Sequence, residues 1–311
     1  MQLKREEKEE VRVMPAKFAE ACNLEIIFDT NVEIPFMTYG ISRPGLILSG
    51  HGNYFASTRV QVLGINELNY INHLTSEERY KAVNNFMEKH IPCVIISRKQ
   101  SVPCELIASA KANNIPIFRS KDITSIVVAE VAKYLMDLLA PHTSAHGILM
   151  DIHGTGVLFT GDSGIGKSET ALELIHRGHR LVSDDVVDMK LIQDKIYGTS
   201  PVITKNLMEI RGVGIVDISA IYGAGAVVPR KIIEVVVSLE KWQEDKAYDR
   251  VTGGIEMVDI LGVKVPKYTI PVTTGRNIAM IAEIAVKQFR LKQSGHDTIA
   301  LLTERMNESK D

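Results

Sequence analysis

The sequence predicts an α/β protein of two domains: a small N-terminal α/β domain over residues 1–140 and a C-terminal domain over 141–311. Three observations carry this prediction. Short β-branched apolar runs alternate with longer stretches of helical periodicity in both halves. A glycine-rich phosphate-binding motif sits between a strand-like run and a helix-like run. A long helical pattern ends at Ala140-Pro141-His142, where the proline stops it and marks the boundary.

Taken in order, residues 46–49 and 59–63 read as short strands, and 67–89 as a helix of mixed charge. The run CVIIS at 93–97 has the composition of a buried parallel strand. Residues 103–112 then read as a helix and 116–118 as a strand, completing a small α/β layer. In 122–139, Asp122 is the expected cap, and Ile126, Ala129, Ala132 and Leu135 recur at helical spacing. The second half opens with strands at 147–152 and 156–160, with Gly154-Thr155 as the turn between them. Further strands are expected at 180–182, 186–192 and 231–239. A long helix at 277–292 should present Ile278, Ile281, Ala285 and Phe289 on one face, with 301–306 as a last helix.

Composition narrows the classes. Hydrophobic residues make up 45% of the 311 and charged residues 24%, enough apolar material for a core without staples. A net charge of −2 gives no global attraction to nucleic acid or acidic membranes, so neither is expected as a partner. Cys22, Cys93 and Cys104 are odd in number and form no C-x-x-C pair, which argues against a disulfide framework or a zinc ribbon. Residues 1–10 lack the apolar stretch of a signal peptide, and no run of about 18 apolar residues exists. A cytoplasmic protein is expected.

The sharpest motif is Gly161-Asp162-Ser163-Gly164-Ile165-Gly166-Lys167-Ser168, which fits G-x-x-x-x-G-K-[ST] at every fixed position. The chemistry explains the residue types. Glycines let the backbone turn so that N–H groups converge on phosphate oxygens, and the following helix adds positive potential. Lys167 is expected on the terminal phosphates and Ser168 on Mg²⁺.

Asp184-Asp185 follows a strand-like run just past the motif's helix, where ligands collect in open α/β sheets. Adjacent carboxylates on a strand point to opposite faces, so one would face a metal and the other an acceptor as base. A solvated acidic turn fits the spacing equally well. Glu209-Ile210-Arg211-Gly212-Val213-Gly214 reads either as a metal ligand with a phosphate clamp or as a surface ion pair. On local sequence alone, Arg250 reads either as a cation that stabilises charge on a transferring group or as a solvated loop arginine, and His146, at the start of a strand, as a structural histidine before a catalytic one. No His/Asp/Glu spacing has the pattern of a zinc site.

Three stretches together resemble bacterial HPr kinase/phosphorylase: His146-Gly147, GVLFTGDSGIGKSETALELIHRGHRLVSDD at 156–185, and MEIRGVGIVDI at 208–218. The likeness extends upstream to Ile41-Ser42-Arg43-Pro44-Gly45 and to IPCVIISRKQSVPCELIASA at 91–110. It implies a C-terminal P-loop kinase domain resembling the nucleotide-binding core of phosphoenolpyruvate carboxykinase, and an assembly of six copies. It implies Mg²⁺-dependent transfer from ATP or pyrophosphate to a serine of the phosphocarrier HPr, and phosphorolysis of phosphoserine-HPr with release of pyrophosphate, in the control of sugar uptake and carbon catabolite repression. By motif, Asp185 matches the base, Glu209 a magnesium ligand beside Ser168, and His146, Lys167 and Arg250 the other active-site positions. Pro271-Val272-Thr273-Thr274-Gly275-Arg276 matches a segment tied to dephosphorylation, without the basic or proline-containing middle of the family pattern. Two other readings share the loop: a kinase for a small metabolite, and a nucleotide sensor without catalysis.

Overall fold

The structure is a computed structural model that describes residues 10–51, 55–243, 256–273, 275–296, 298, 300, 301 and 305. The chain forms two compact units that adjoin in sequence between Ala140 and Pro141.

The N-terminal unit is built on a five-stranded sheet. Its order is Glu25–Phe28, Ile117–Arg119, Val94–Ile96, Val60–Leu63 and Ile41–Ser42, parallel throughout except for the first strand. Helices cover both faces, which is why the inner strands are buried on both sides and mostly apolar, with Gln61 as a buried polar exception. Ile95 and Phe118 pack with Phe18 and Val131 on one side; Val94, Ile96 and Ile117 pack with Leu68, Phe86 and Leu106 on the other.

Several elements depart from the sequence reading. Residues Gly45–Leu48 form a short helix, not a strand. The helix expected over 67–89 is two, Ile65–His73 and Ser76–Met87. The break is a capping box: Thr75 Oγ1 accepts from the Glu78 N–H, and the Glu78 carboxylate accepts from the Thr75 N–H at 3.0 Å. The helix Thr124–Leu138 starts after Ile123, so Asp122 does not cap it. It buries Val127, Val131 and Leu135, with Ile126 and Ala129 exposed.

The C-terminal unit has three layers. A central six-stranded sheet runs Arg180–Ser183, Ile148–Ile152, Thr155–Thr160, Val235–Lys241, Val263–Val272, Glu256–Ile260. One face packs on the helices Lys167–His176 and Ile278–Gln293 through Val157, Phe159, Leu174, Ala282 and Val286. The other packs on a four-stranded sheet, Arg230–Ile232, Lys195–Thr199, Val186–Ile192 and His142–His146, through Leu149, Leu158, Val187 and Ile196. Ile148–Ile152 and Thr155–Thr160 form an antiparallel hairpin whose two-residue turn is His153-Gly154, both at positive φ, one residue earlier than expected. The single strand expected over 231–239 is two, Arg230–Ile232 and Val235–Lys241, one in each sheet. Asn277 caps the helix Ile278–Gln293, its Oδ1 accepting from the Met280 N–H at 2.8 Å. Among the described residues no helix is long and apolar enough to cross a membrane.

Candidate phosphate site

The strand Thr155–Thr160 runs directly into the glycine-rich loop, and the helix Lys167–His176 runs out of it. Gly161 lies at the end of the strand with φ +141°, where a Cβ would collide with the Leu239 carbonyl of the neighbouring parallel strand. Ile165 turns inward and joins the core, anchoring the loop from below. Gly166 is the N-cap, so the free N–H groups of the helix start at the loop. The Lys167 ammonium donates to the carbonyls of Gly161 and Asp162 at 2.8 and 2.9 Å, which holds the loop's bend from its concave side.

A pocket of about 530 Å³ opens over this loop. Its lining brings Gly161, Ser163, Gly164, Gly166, Lys167 and Ser168 together with His146, Asp184, Asp185, Glu209 and Arg211. The acid pair does not sit on a strand. It forms the tight turn between Arg180–Ser183 and Val186–Ile192, and Asp185 has φ +65°, a left-handed conformation that a non-glycine residue adopts at a cost. The turn, not the pleat, separates the two side chains. Asp184 is 5% exposed. The side chain of Asp185 is 78% exposed, with Oδ1 3.6 Å from His146 Nδ1. His146 is delivered by the adjacent strand, in register with Val186.

Asp184 is the electrostatic anomaly. Burial pushes its carboxyl above the usual range; the N–H groups of Glu209 and Asp185 and the nearby Ser168 hydroxyl oppose this, and the Asp185 charge adds to it. Oδ2 accepts from the Glu209 N–H at 3.0 Å. Oδ1 is buried and has no hydrogen-bond partner among the described residues. A buried carboxylate oxygen left unpaired is costly unless a ligand completes it. The Asp-Asp dipeptide was the only sequence signal for this, and it did not say which of the two would be buried.

Glu209 and Arg211 sit on a β-hairpin formed by Leu207–Ile210 and Gly214–Asp217, which the sequence reading did not assign as strands. Met208 anchors it in the core and the Glu209 N–H ties it to Asp184. The described residues of the segment 271–276 are not among those lining the pocket. Pro271 and Val272 end the strand Val263–Val272 beside Glu240 and Lys241, and Arg276 donates to the Pro271 carbonyl at 3.3 Å. Thr274 and Arg250 lie outside the described residues.

A strand–glycine-rich loop–helix unit facing carboxylates and the hairpin that carries Glu209 and Arg211 marks an α/β protein with a candidate phosphate site. Comparison with known proteins narrows it further. Residues 136–306 match the HPr Serine kinase C-terminal domain and residues 13–135 the HPr Serine kinase N terminus. The chain belongs to the HPr kinase/phosphorylase family. It is 44% identical over 290 residues to the HPr kinase/phosphorylase of Listeria welshimeri, covering 93% of each chain. It is 42% identical over 294 residues to that of Clostridium perfringens, covering 94% of this chain and 96% of the other. Among solved structures, the Hpr(Ser) kinase/phosphatase of Coxiella burnetii matches 49% of this chain and 99% of its own, at 36% identity and a TM-score of 0.46.

Proposed function

We propose that this protein phosphorylates a serine of HPr with ATP or pyrophosphate, and removes that phosphate by phosphorolysis, releasing pyrophosphate. Its place is the cytosol, as an assembly of six copies, in the control of sugar uptake and carbon catabolite repression. The likeness of its core to that of phosphoenolpyruvate carboxykinase belongs to the same reading. Family membership over nearly the whole chain supports the reaction. The single structural observation that carries it is one pocket holding the phosphate loop on one wall and the His146–Asp185 pair, exposed, on the other. An acceptor carried by a folded protein needs such an exposed base.

In the forward direction, loop N–H groups and Lys167 hold the donor phosphates. Asp185 takes the proton from the serine hydroxyl, and His146 beside it orients that carboxylate. In reverse, the protonated Asp185 returns the proton to the departing serine oxygen. Arg250 is assigned here by motif, as a further cation on the transferring group. The segment Pro271 to Arg276 is likewise assigned to dephosphorylation by motif.

Ser168, Glu209 and Asp184 supply hard oxygen donors suited to Mg²⁺, and the unpaired buried Oδ1 of Asp184 fits a cation site. Bound there, Mg²⁺ would neutralise charge on the donor phosphates. The test is direct: incubate the protein with HPr, Mg²⁺ and either donor, and follow phosphoserine by mass. No transfer to HPr with either donor overturns the reading, and turnover of a small metabolite without HPr replaces it with a metabolite kinase.

A further inference from the structure

The phosphate loop has a second cation over it that the reaction described so far does not use. Arg211 is at the tip of the 207–217 hairpin, where Gly212 takes φ +83° and the Val213 N–H closes the turn on the Ile210 carbonyl at 3.0 Å. Its guanidinium reaches back across the pocket to the loop. A Cβ placed on Gly164 would lie 2.9 and 3.1 Å from its two terminal nitrogens, and Gly164 itself has φ +78°. The side chain is exposed, and among the described residues it makes no ion pair. The hairpin beneath it is fixed by buried Met208 and by the bond from the Glu209 N–H to Asp184. Lys167 grips the same loop at Gly161 and Asp162. Two cations therefore bracket the bend where phosphate oxygens gather.

Resting on the reaction proposed above, we infer that Arg211 binds the phosphate next to the one transferred, and thereby sets the preference for pyrophosphate over a nucleoside triphosphate. In phosphorolysis this group is inorganic phosphate. One of its oxygens forms a bond to the phosphorus of phosphoserine while the bond from phosphorus to the serine oxygen breaks. The electron pair goes to that oxygen, which takes the proton of Asp185, and pyrophosphate leaves. Both reactants are anions, and a planar fork of N–H donors at Gly164 holds the attacking one in place and offsets their repulsion. A nucleoside triphosphate has the same phosphate but also a further phosphate and a nucleoside through which to bind. Pyrophosphate has no such reserve.

The test uses the full chain with Arg211→Gln and Arg211→Lys. Measured are kcat/KM for HPr phosphorylation with each donor, the rate of phosphorolysis, and pyrophosphate binding by calorimetry. Arg211→Gln should lose about a hundredfold with pyrophosphate and in phosphorolysis, and less than about tenfold with ATP. The two pyrophosphate reactions must fall together, because their equilibrium constant belongs to the reactants. Lysine should restore only part of the loss, since it is a point charge without the fork. Equal losses with both donors, or unchanged pyrophosphate affinity in Arg211→Gln, overturn the inference. If the wild type fails to phosphorylate HPr with either donor, the reaction assignment falls, and the calorimetric comparison still decides whether Arg211 binds pyrophosphate.

Discussion

Both units of this protein end parallel strands in loops rich in polar side chains, yet the two sets of strand ends differ in one respect. In the N-terminal unit the polar groups satisfy each other. Glu67 accepts from the Gly64 N–H at 2.9 Å and from Arg43 at 3.0 Å; the Ser97 and Thr124 hydroxyls bond at 2.8 Å. In the C-terminal unit they do not. Asp184 has a buried oxygen with no partner among the described residues, Arg211 makes no ion pair among them, and Lys167 bonds only to backbone carbonyls of its own loop. Both units are layered α/β scaffolds, and that alone cannot distinguish a structural end from a chemical one. What distinguishes them is where the unmet capacity lies: Gln61 Oε1 and Asp151 Oδ1 are also buried without a hydrogen-bond partner among the described residues, but of these three oxygens only that of Asp184 belongs to a residue lining the pocket, together with Arg211 and Lys167.

Substitutions that touch the unmet groups should change chemistry, and those that touch the satisfied ones should change stability. The largest effect is expected at the base. Asp185→Asn should lower kcat in both directions by about a thousandfold while leaving ATP affinity unchanged, read by single-turnover kinetics and equilibrium binding. Normal turnover in that variant removes Asp185 as the base. Glu209→Gln comes next: it should raise the Mg²⁺ concentration needed for half-maximal rate by about tenfold or more, read by metal titration of the rate.

Asp184→Asn tests the contrast most directly, because here function and stability oppose each other. The folded-state pKa of Asp184 is raised above its ordinary value of 3.8. The folded protein therefore binds the proton more tightly than the unfolded chain, and this group's contribution to stability falls as pH rises from about 3.8 through the folded-state value. Removing the charge should raise Tm at pH 7 while reducing turnover, and the gain in Tm should vanish near pH 3.8 and below. A lower Tm at pH 7 would show that the buried carboxylate stabilises the fold. The smallest effect is expected in the N-terminal unit. Thr124→Val breaks the bond to Ser97 and should cost about 1 kcal/mol in denaturant melts, with HPr phosphorylation unchanged. A large loss of activity there would break the comparison.

The sequence made the loop legible because phosphate binding demands fixed residue types at fixed spacing, and the strand before it and helix after it were legible from periodicity. Much of the remaining site was not. The turn at Asp184-Asp185 depends on a left-handed φ at Asp185, which no local pattern announces. The 207–217 hairpin is glycine-rich and short, and its burial is confined to Met208. The break between Arg230–Ile232 and Val235–Lys241 is tertiary: the Glu234 carboxylate accepts from the Gly156 N–H at 3.1 Å as the chain changes sheets. In the helix Thr124–Leu138 the buried residues are Val127, Val131 and Leu135, so of the periodic set Ile126, Ala129, Ala132 and Leu135 only the last is fully buried, because periodicity alone does not say which stripe meets the sheet.

The parallel pairing of Thr155–Thr160 with Val235–Lys241 has a consequence for how the molecule is made. Gly156 and Glu234 are 78 residues apart, with three strands of the four-stranded sheet between them, and the strand that flanks Val235–Lys241 ends only at Val272. During synthesis the loop leaves the ribosome with its hairpin partner Ile148–Ile152 but without the strand whose Leu239 carbonyl abuts Gly161. Closing so long a chain segment is entropically slow, and the local hairpin forms first. The phosphate loop is thus among the last parts of this unit to become rigid although it is among the first to be translated, and a chain truncated before residue 235 should not retain nucleotide.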